Sequence, residues 1–299
     1  MADNLLELGL IGLARTPSEF PGMWFHGHHG ATVLAAHFIC VSGWVEPEVR
    51  DAVHAFAQRT MAATPALFEA ADVPSPRADG QRIVDKLNEV IVNLTADGHD
   101  VIFASLALRA LRARPDLATE AVVGGVLQLL ADAQRDTPQR YLGFDDYLRD
   151  PIDYSSVEAF PSVQAAARHA LGLHARVHPD QVINGQTYFL AGNKLHDITH
   201  AHALVELDEM GFSDLARRGL DPLRKQFYLC EHSRVPEDVE PFESPAPLDP
   251  WSVAFWERDA SDAHQVKLAY SVMSLLANTP AAQRYEILAP ISKYWHLLP

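Results

Sequence analysis

The chain has 299 residues, 48% hydrophobic and 21% charged, so it is long enough to bury a large core within one domain. A formal net charge of −15 and a pI near 5.4 exclude nucleic acid and anionic membrane as main partners, because both require a basic surface. Two cysteines without CxxC spacing, acidic residues where a secretory signal needs basic ones, and no run of about 20 apolar residues predict a soluble, cytoplasmic protein.

Four similar helical hairpins are predicted, because apolar residues recur with the helical period and strand-like alternation is almost absent. In chain order the helix pairs are 31–41 with 48–62, 100–113 with 119–133, 197–210 with 214–229, and 263–276 with 281–295. Further helices at 82–94 and 157–173 bring the total to about six pairs. The fold class predicted is therefore all-α: repeated helical hairpins in one domain over residues 1–299, arranged as an α/α toroid.

A proline-rich stretch interrupts this pattern at residues 235–250. Its five prolines exclude a helix through its interior, so we predict an ordered strap over the domain surface. The hairpin at 263–295 resembles the earlier ones, which places no domain boundary at the strap.

A histidine heads each of the four hairpins, and this recurrence is the most informative feature of the chain. Equivalent positions in a closed ring of hairpins point at one centre, so we expect these histidines to converge on one cavity. The candidate catalytic residues are His28, His29, His99, His196, His264 and Lys267.

Two local clusters carry the strongest metal-binding signals. In the segment Trp24 to Gly30, two glycines allow imidazoles to approach a ligand, and a following helix N-terminus favours neutral histidine. His196 and His200 stand at i and i+4 on one helix face, a pair geometry that zinc and iron sites use. The candidate metal ligands are His26, His28, His196 and His200, and imidazoles without a cysteine pair suit Fe, Zn or Cu. The alternative is structural, with His196 capping the helix and His200 packing between helices.

Several enzyme classes lack their motifs. The chain has no GxGxxG after a strand, no GxxxxGK[ST] and no GxSxG, and Asp197 follows His196 where an HExxH motif has glutamate. Two segments, 262–268 and 195–204, resemble the questin oxidase-like family. That resemblance implies oxygen-dependent ring opening or Baeyer–Villiger-type oxidation of an aromatic polyketide.

Three functional hypotheses follow. The favoured one is an enzyme that acts on a hydrophobic small molecule in the histidine-lined cavity, with or without a bound metal. An oxidoreductase or oxygenase is the favoured reaction class. The second is a cofactor-free lyase, cyclase or hydrolase that uses imidazole acid/base chemistry. The third is a non-catalytic helical binding or scaffold protein. The partner expected is a small-molecule substrate, and a homo-oligomer remains open.

Overall fold

The computed structural model describes residues 3–69, 75–173, 176–242, 249–258 and 264–297. Its α-helices are α1 (Asp3–Glu19), α2 (Gly27–Val41), α3 (Pro47–Ala63), α4 (Gln81–Val90), α5 (His99–Ala113), α6 (Glu120–Ala133), α7 (Val163–Gly172), α8 (Leu190–Glu209), α9 (Ser213–Arg218), α10 (Leu220–Glu231), α11 (Val253–Trp256), α12 (His264–Leu275) and α13 (Ala281–Leu297). Short 3₁₀ turns occupy Trp24–His26, Pro65–Phe68, Ala96–Gly98 and Pro115–Leu117. The prediction of an all-α fold is confirmed.

The predicted hairpins correspond closely to observed helix pairs. Helices α2 and α3 pack on each other, as do α5 and α6, and α8 packs on both α9 and α10. Helices α12 and α13 have nearly the bounds predicted for the fourth pair, although its first predicted residue, 263, lies outside the described residues. Helices α4 and α7 account for the two additional predicted helices. Helical periodicity and the breaks at glycine and proline located most of these elements to within a few residues. The exceptions are that α8 begins at Leu190 and not at 197, that α7 begins at Val163 and not at 157, and that the helix predicted at 214–229 is divided into α9 and α10.

Helix α1 was not predicted, and it packs against α2 and α6. Its approach to α2 is close enough that a Cβ at Gly30 would lie 2.3 Å from the Leu13 backbone nitrogen. A side chain at Gly30 would force the two helices apart. The glycine that sequence analysis assigned to ligand access thus also permits helix packing.

Four helices, α2, α5, α8 and α12, form the core of the molecule, and each carries a predicted site histidine. His28, His99 and His264 lie in first turns, but the prediction that His196 heads or caps its helix is wrong, because α8 begins at Leu190. Helices α2 and α8 each contact both α5 and α12, which closes a ring of four. The four run in the same direction, because their N-terminal ends approach one another at the histidines. Further along, Arg109 of α5, Glu206 of α8 and Tyr270 of α12 bond to one another, and the Phe38 ring of α2 stacks on Tyr270. The arrangement of all the hairpins as an α/α toroid stays a prediction.

A small antiparallel sheet, β1 (Gln181–Ile183) and β2 (Gln186–Tyr188), was not predicted. Its two-residue loop is Asn184-Gly185 with φ of 53° and 81°, the left-handed pair that an Asn-Gly hairpin turn uses. The described part of the strap, 235–242, contains neither helix nor strand, and the Phe242 N–H donates to the Val177 carbonyl at 2.8 Å. Residues 243–248 of the strap lie outside the described residues. No helix in the described ranges is both long enough and apolar enough to cross a membrane.

Candidate metal centre

Four histidines meet where the core helices begin. His99 and His264 are the first residues of α5 and α12, His28 is the second residue of α2, and His196 lies in the second turn of α8. All four are buried, and each offers one ring nitrogen such that the four nitrogens lie within 4.8 Å of one another. The convergence expected from the repeat is therefore present in the fold.

Backbone carbonyls set the tautomers of two of these rings. Nδ1 of His28 lies 2.6 Å from the Phe25 carbonyl oxygen, and Nδ1 of His99 contacts that of Ala96. A carbonyl only accepts hydrogen bonds, so each Nδ1 carries the proton and each Nε2 carries a lone pair. The two Nε2 atoms lie 2.8 Å apart. Two lone pairs this close require a positive species to share, either a proton or a metal ion, so the donor set fits a metal.

Lys267 reaches the same cluster from one turn further along α12. Its Nζ lies 3.2 Å from Nε2 of His99 and 3.3 Å from Nε2 of His196, and only 1% of the residue is exposed. As an ammonium it donates to the imidazole lone pairs. The Lys267 ammonium can therefore neutralise those lone pairs in place of a metal ion.

The electrostatics of the cluster keep its imidazoles neutral. Burial is the largest cause that lowers the pKa of His28, His99 and His196 well below the ordinary value, and the charge of Lys267 is the next. Contact with the Gly192 backbone opposes this for the pKa of His196. Neutral imidazole is the form that coordinates metals, so these three rings are ligand-competent at neutral pH.

A buried ionic network borders the cluster on the side of His196. Oδ2 of Asp97 lies 3.8 Å from Nδ1 of His196 and accepts a hydrogen bond from Arg140 at 2.8 Å. Arg140 also donates to Asp136 at 2.6 Å, and the Tyr141 hydroxyl donates to Asp97 at 2.6 Å. A carboxylate thus supports a histidine of the cluster and is itself held by a cation.

A cavity of about 380 Å³ opens onto the cluster. Aromatic rings form much of its wall, and His99, His196 and His264 line it together with Asp97, Arg140 and Asn193; the aromatic residues are Trp24, Phe25, Phe189 and Phe242. This volume lies within the range of about 300–1,000 Å³ typical of small-molecule sites. An apolar molecule could therefore reach the imidazoles.

Three of the residues predicted for the site lie outside the cluster. The His26 ring stacks on Phe20 at 3.9 Å, and the His29 ring is 5.7 Å from that of His26. Nδ1 of His200 bonds to the Gln226 side chain at 2.7 Å, between α8 and α10, which is the packing role considered as its alternative. His28, His99, His196, His264 and Lys267 do come together.

Asp97 and Arg140 were not predicted as residues of the site. Asp97-Gly98 is a turn dipeptide directly before His99, and this signal could have marked a tight turn at the site. Arg140 lies in an irregular segment, and no local pattern points from it to the histidines. Comparison with known protein families, curated proteins and solved structures found no match to this chain.

Proposed function

We propose that this protein is a metal-dependent enzyme that acts on a hydrophobic small molecule. The observation that carries the proposal is the group of four buried imidazole nitrogens within 4.8 Å at the wall of a cavity. An all-imidazole donor set suits Fe, Zn or Cu better than Mg or Ca. Oxidation with dioxygen as oxidant is the favoured reaction class, which the resemblance to the questin oxidase-like family supports.

His28, His99, His196 and His264 would hold the metal ion. When bound, a redox-active ion supplies electron transfer to the oxidant, and any of these ions supplies Lewis acidity. The backbone carbonyls of Phe25 and Ala96 hold His28 and His99 in the tautomer whose Nε2 atoms carry lone pairs. The aromatic wall binds the apolar body of the substrate and excludes water from the imidazoles.

Metal analysis of untagged protein, purified without chelator, tests the centre directly. We expect first-row metal in wild type and its loss in His28→Gln and His264→Gln, because Gln keeps polarity but does not ligate like imidazole. His26→Gln is the matched control, since His26 lies in the same segment but outside the cluster. Wild type that takes up no Fe, Zn or Cu even on reconstitution would contradict the metal centre.

Oxygen uptake in the presence of hydrophobic phenols and ketones tests the reaction class. Uptake should require the metal and disappear in the two cluster variants. A loaded protein that transforms such compounds without consuming oxygen would refute oxidation while leaving the metal centre intact.

Metal-free acid/base catalysis is the second candidate, and Lys267 favours it. A buried ammonium within hydrogen-bonding distance of two imidazoles already neutralises lone pairs that a metal would otherwise bind. Under this candidate, activity survives exhaustive chelation and persists well below the ordinary histidine pKa, because the lowered pKa values of His28, His99 and His196 keep these imidazoles neutral there. Activity abolished by chelation and restored by metal would refute it.

A further inference from the structure

The turn Ala96-Asp97-Gly98 is strained and lies against the cluster. Its residues have φ of 46°, 53° and 78°, so three consecutive residues are left-handed and two of them are not glycine. Such conformations persist only where the surrounding structure holds them, and they concentrate at functional sites. The turn serves two histidines, because the Ala96 carbonyl accepts from His99 and the Asp97 carboxylate faces His196.

Several bonds hold the turn in this conformation. Asp97 is 1% exposed and accepts from Arg140 at 2.8 Å and from Tyr141 at 2.6 Å. The Ala96 N–H donates to Asp136 at 3.1 Å, and Asp136 also binds Arg140. Asp97 is therefore held by its bonds to Arg140 and Tyr141, neither of which involves His196.

His196 differs from His28 and His99 in its support. The latter two donate Nδ1–H to backbone carbonyls, whereas Nδ1 of His196 lies 3.8 Å from the Asp97 carboxylate, and the Gly192 backbone also acts on this ring. Among described carboxylates, Asp97 alone comes within ion-pair distance of a cluster histidine. Asp100 binds Gln134 at 2.8 Å instead, and Asp197 accepts from Cys230 at 3.6 Å.

We infer that Asp97 is a positioning residue that orients His196 and strengthens its Nε2 as a metal ligand. This inference rests on the proposed metal centre. Carboxylates behind metal-bound histidines raise ligand basicity, and their loss costs about 10–100-fold in metal affinity or activity. The competing acceptor is the Gly192 backbone, which also acts on His196.

Asp97→Asn tests the role with little change in shape. Apart from glycine, asparagine tolerates left-handed φ better than other uncharged residues, and Arg140 keeps its partner Asp136. The matched control is Asp136→Asn, which removes a negative charge from the same network but keeps a side-chain oxygen that can accept from the Ala96 N–H. It leaves Arg140 paired with Asp97, and Asp136 itself has no contact with a cluster histidine. Circular dichroism and thermal unfolding establish that each variant folds.

Titration with Co²⁺, followed by its visible absorption, is the measurement. We expect Asp97→Asn to bind Co²⁺ about tenfold more weakly with shifted absorption bands, and Asp136→Asn to keep the wild-type spectrum and affinity. An unchanged spectrum and affinity in Asp97→Asn would show that the Gly192 backbone, and not Asp97, orients His196, and would overturn the inference. Equal losses of Co²⁺ affinity in both variants would also overturn it. Wild type that binds no Co²⁺ would overturn the metal centre itself.

Tyr141→Phe provides a second test of the positioning role if Asp97→Asn does not fold. It removes one hydrogen bond from Asp97 and leaves the carboxylate in place. We expect a smaller loss of Co²⁺ affinity in the same direction, with the spectral shift of a loosened ligand. Wild-type affinity and spectrum in this variant would count against a positioning role.

Discussion

His200 should make the protein acid-labile, and the size of the effect can be calculated from its burial. The residue is 1% exposed, and burial lowers its pKa to about 4, opposed only by the hydrogen bond to Gln226. An unfolded chain has the ordinary histidine pKa of about 6.5. Because the folded pKa is the lower one, the unfolded state binds the proton preferentially. The stability that His200 contributes is complete above about pH 6.5 and is lost as the pH falls towards 4.

The magnitude follows from the two pKa values. At pH 5.0 nearly all unfolded chains but only about a tenth of folded chains carry this proton, whereas at pH 7.5 few of either do. The His200 contribution to the free energy of unfolding therefore falls by about 2 kcal/mol between these pH values. That is a substantial part of the 5–15 kcal/mol by which domains are commonly stable.

Urea unfolding of metal-free protein at both pH values, with a chelator present, measures this difference. His200→Gln should lose about 2 kcal/mol less stability than wild type on acidification, since other titrating groups are common to both and cancel. His232→Gln, at an exposed histidine, is the matched control for the chemical change from histidine to glutamine. Equal pH dependence in His200→Gln and wild type would refute the reasoning.

Two further predictions concern the close packing at Gly98 and the ion pair between Arg109 and Glu206. Gly98→Ala should destabilise the protein far more than Gly43→Ala. Both glycines have positive φ, but a Cβ at Gly98 would lie 2.4 Å from Nδ1 of His200, whereas a Cβ at Gly43 would meet nothing within 4 Å. Similar losses of stability in the two variants on thermal unfolding would contradict this steric account. Arg109→Ala should cost about 2–3 kcal/mol in urea unfolding, because it leaves buried Glu206 without its cation while Arg109 itself is only partly buried. Adding Glu206→Gln should recover part of that loss, and a purely additive double variant would show that the ion pair is not the cause.

Local sequence signals located most of the fold. The pairs α2/α3 and α5/α6 were predicted because helical period, glycine stops and proline starts act within a few residues of each other. Helix α1 and the strands 181–188 were missed: α1 depends on close packing with α2, and the hairpin's signal is one Asn-Gly dipeptide between very short strands. Where an element owes its stability to a distant neighbour, its own residues carry only a weak pattern.

The sequence by itself determined that each core helix carries a histidine near its N-terminal end, since chain position alone places a residue in the first or second turn. Only the tertiary structure decided which of them meet. His196 and His200 share one face by i,i+4 spacing, yet His196 faces the other core helices and His200 faces α10. Asp97 and Arg140 joined the site, and the predicted candidate Lys267 reached it, because helix packing chooses among side chains that local spacing leaves equivalent.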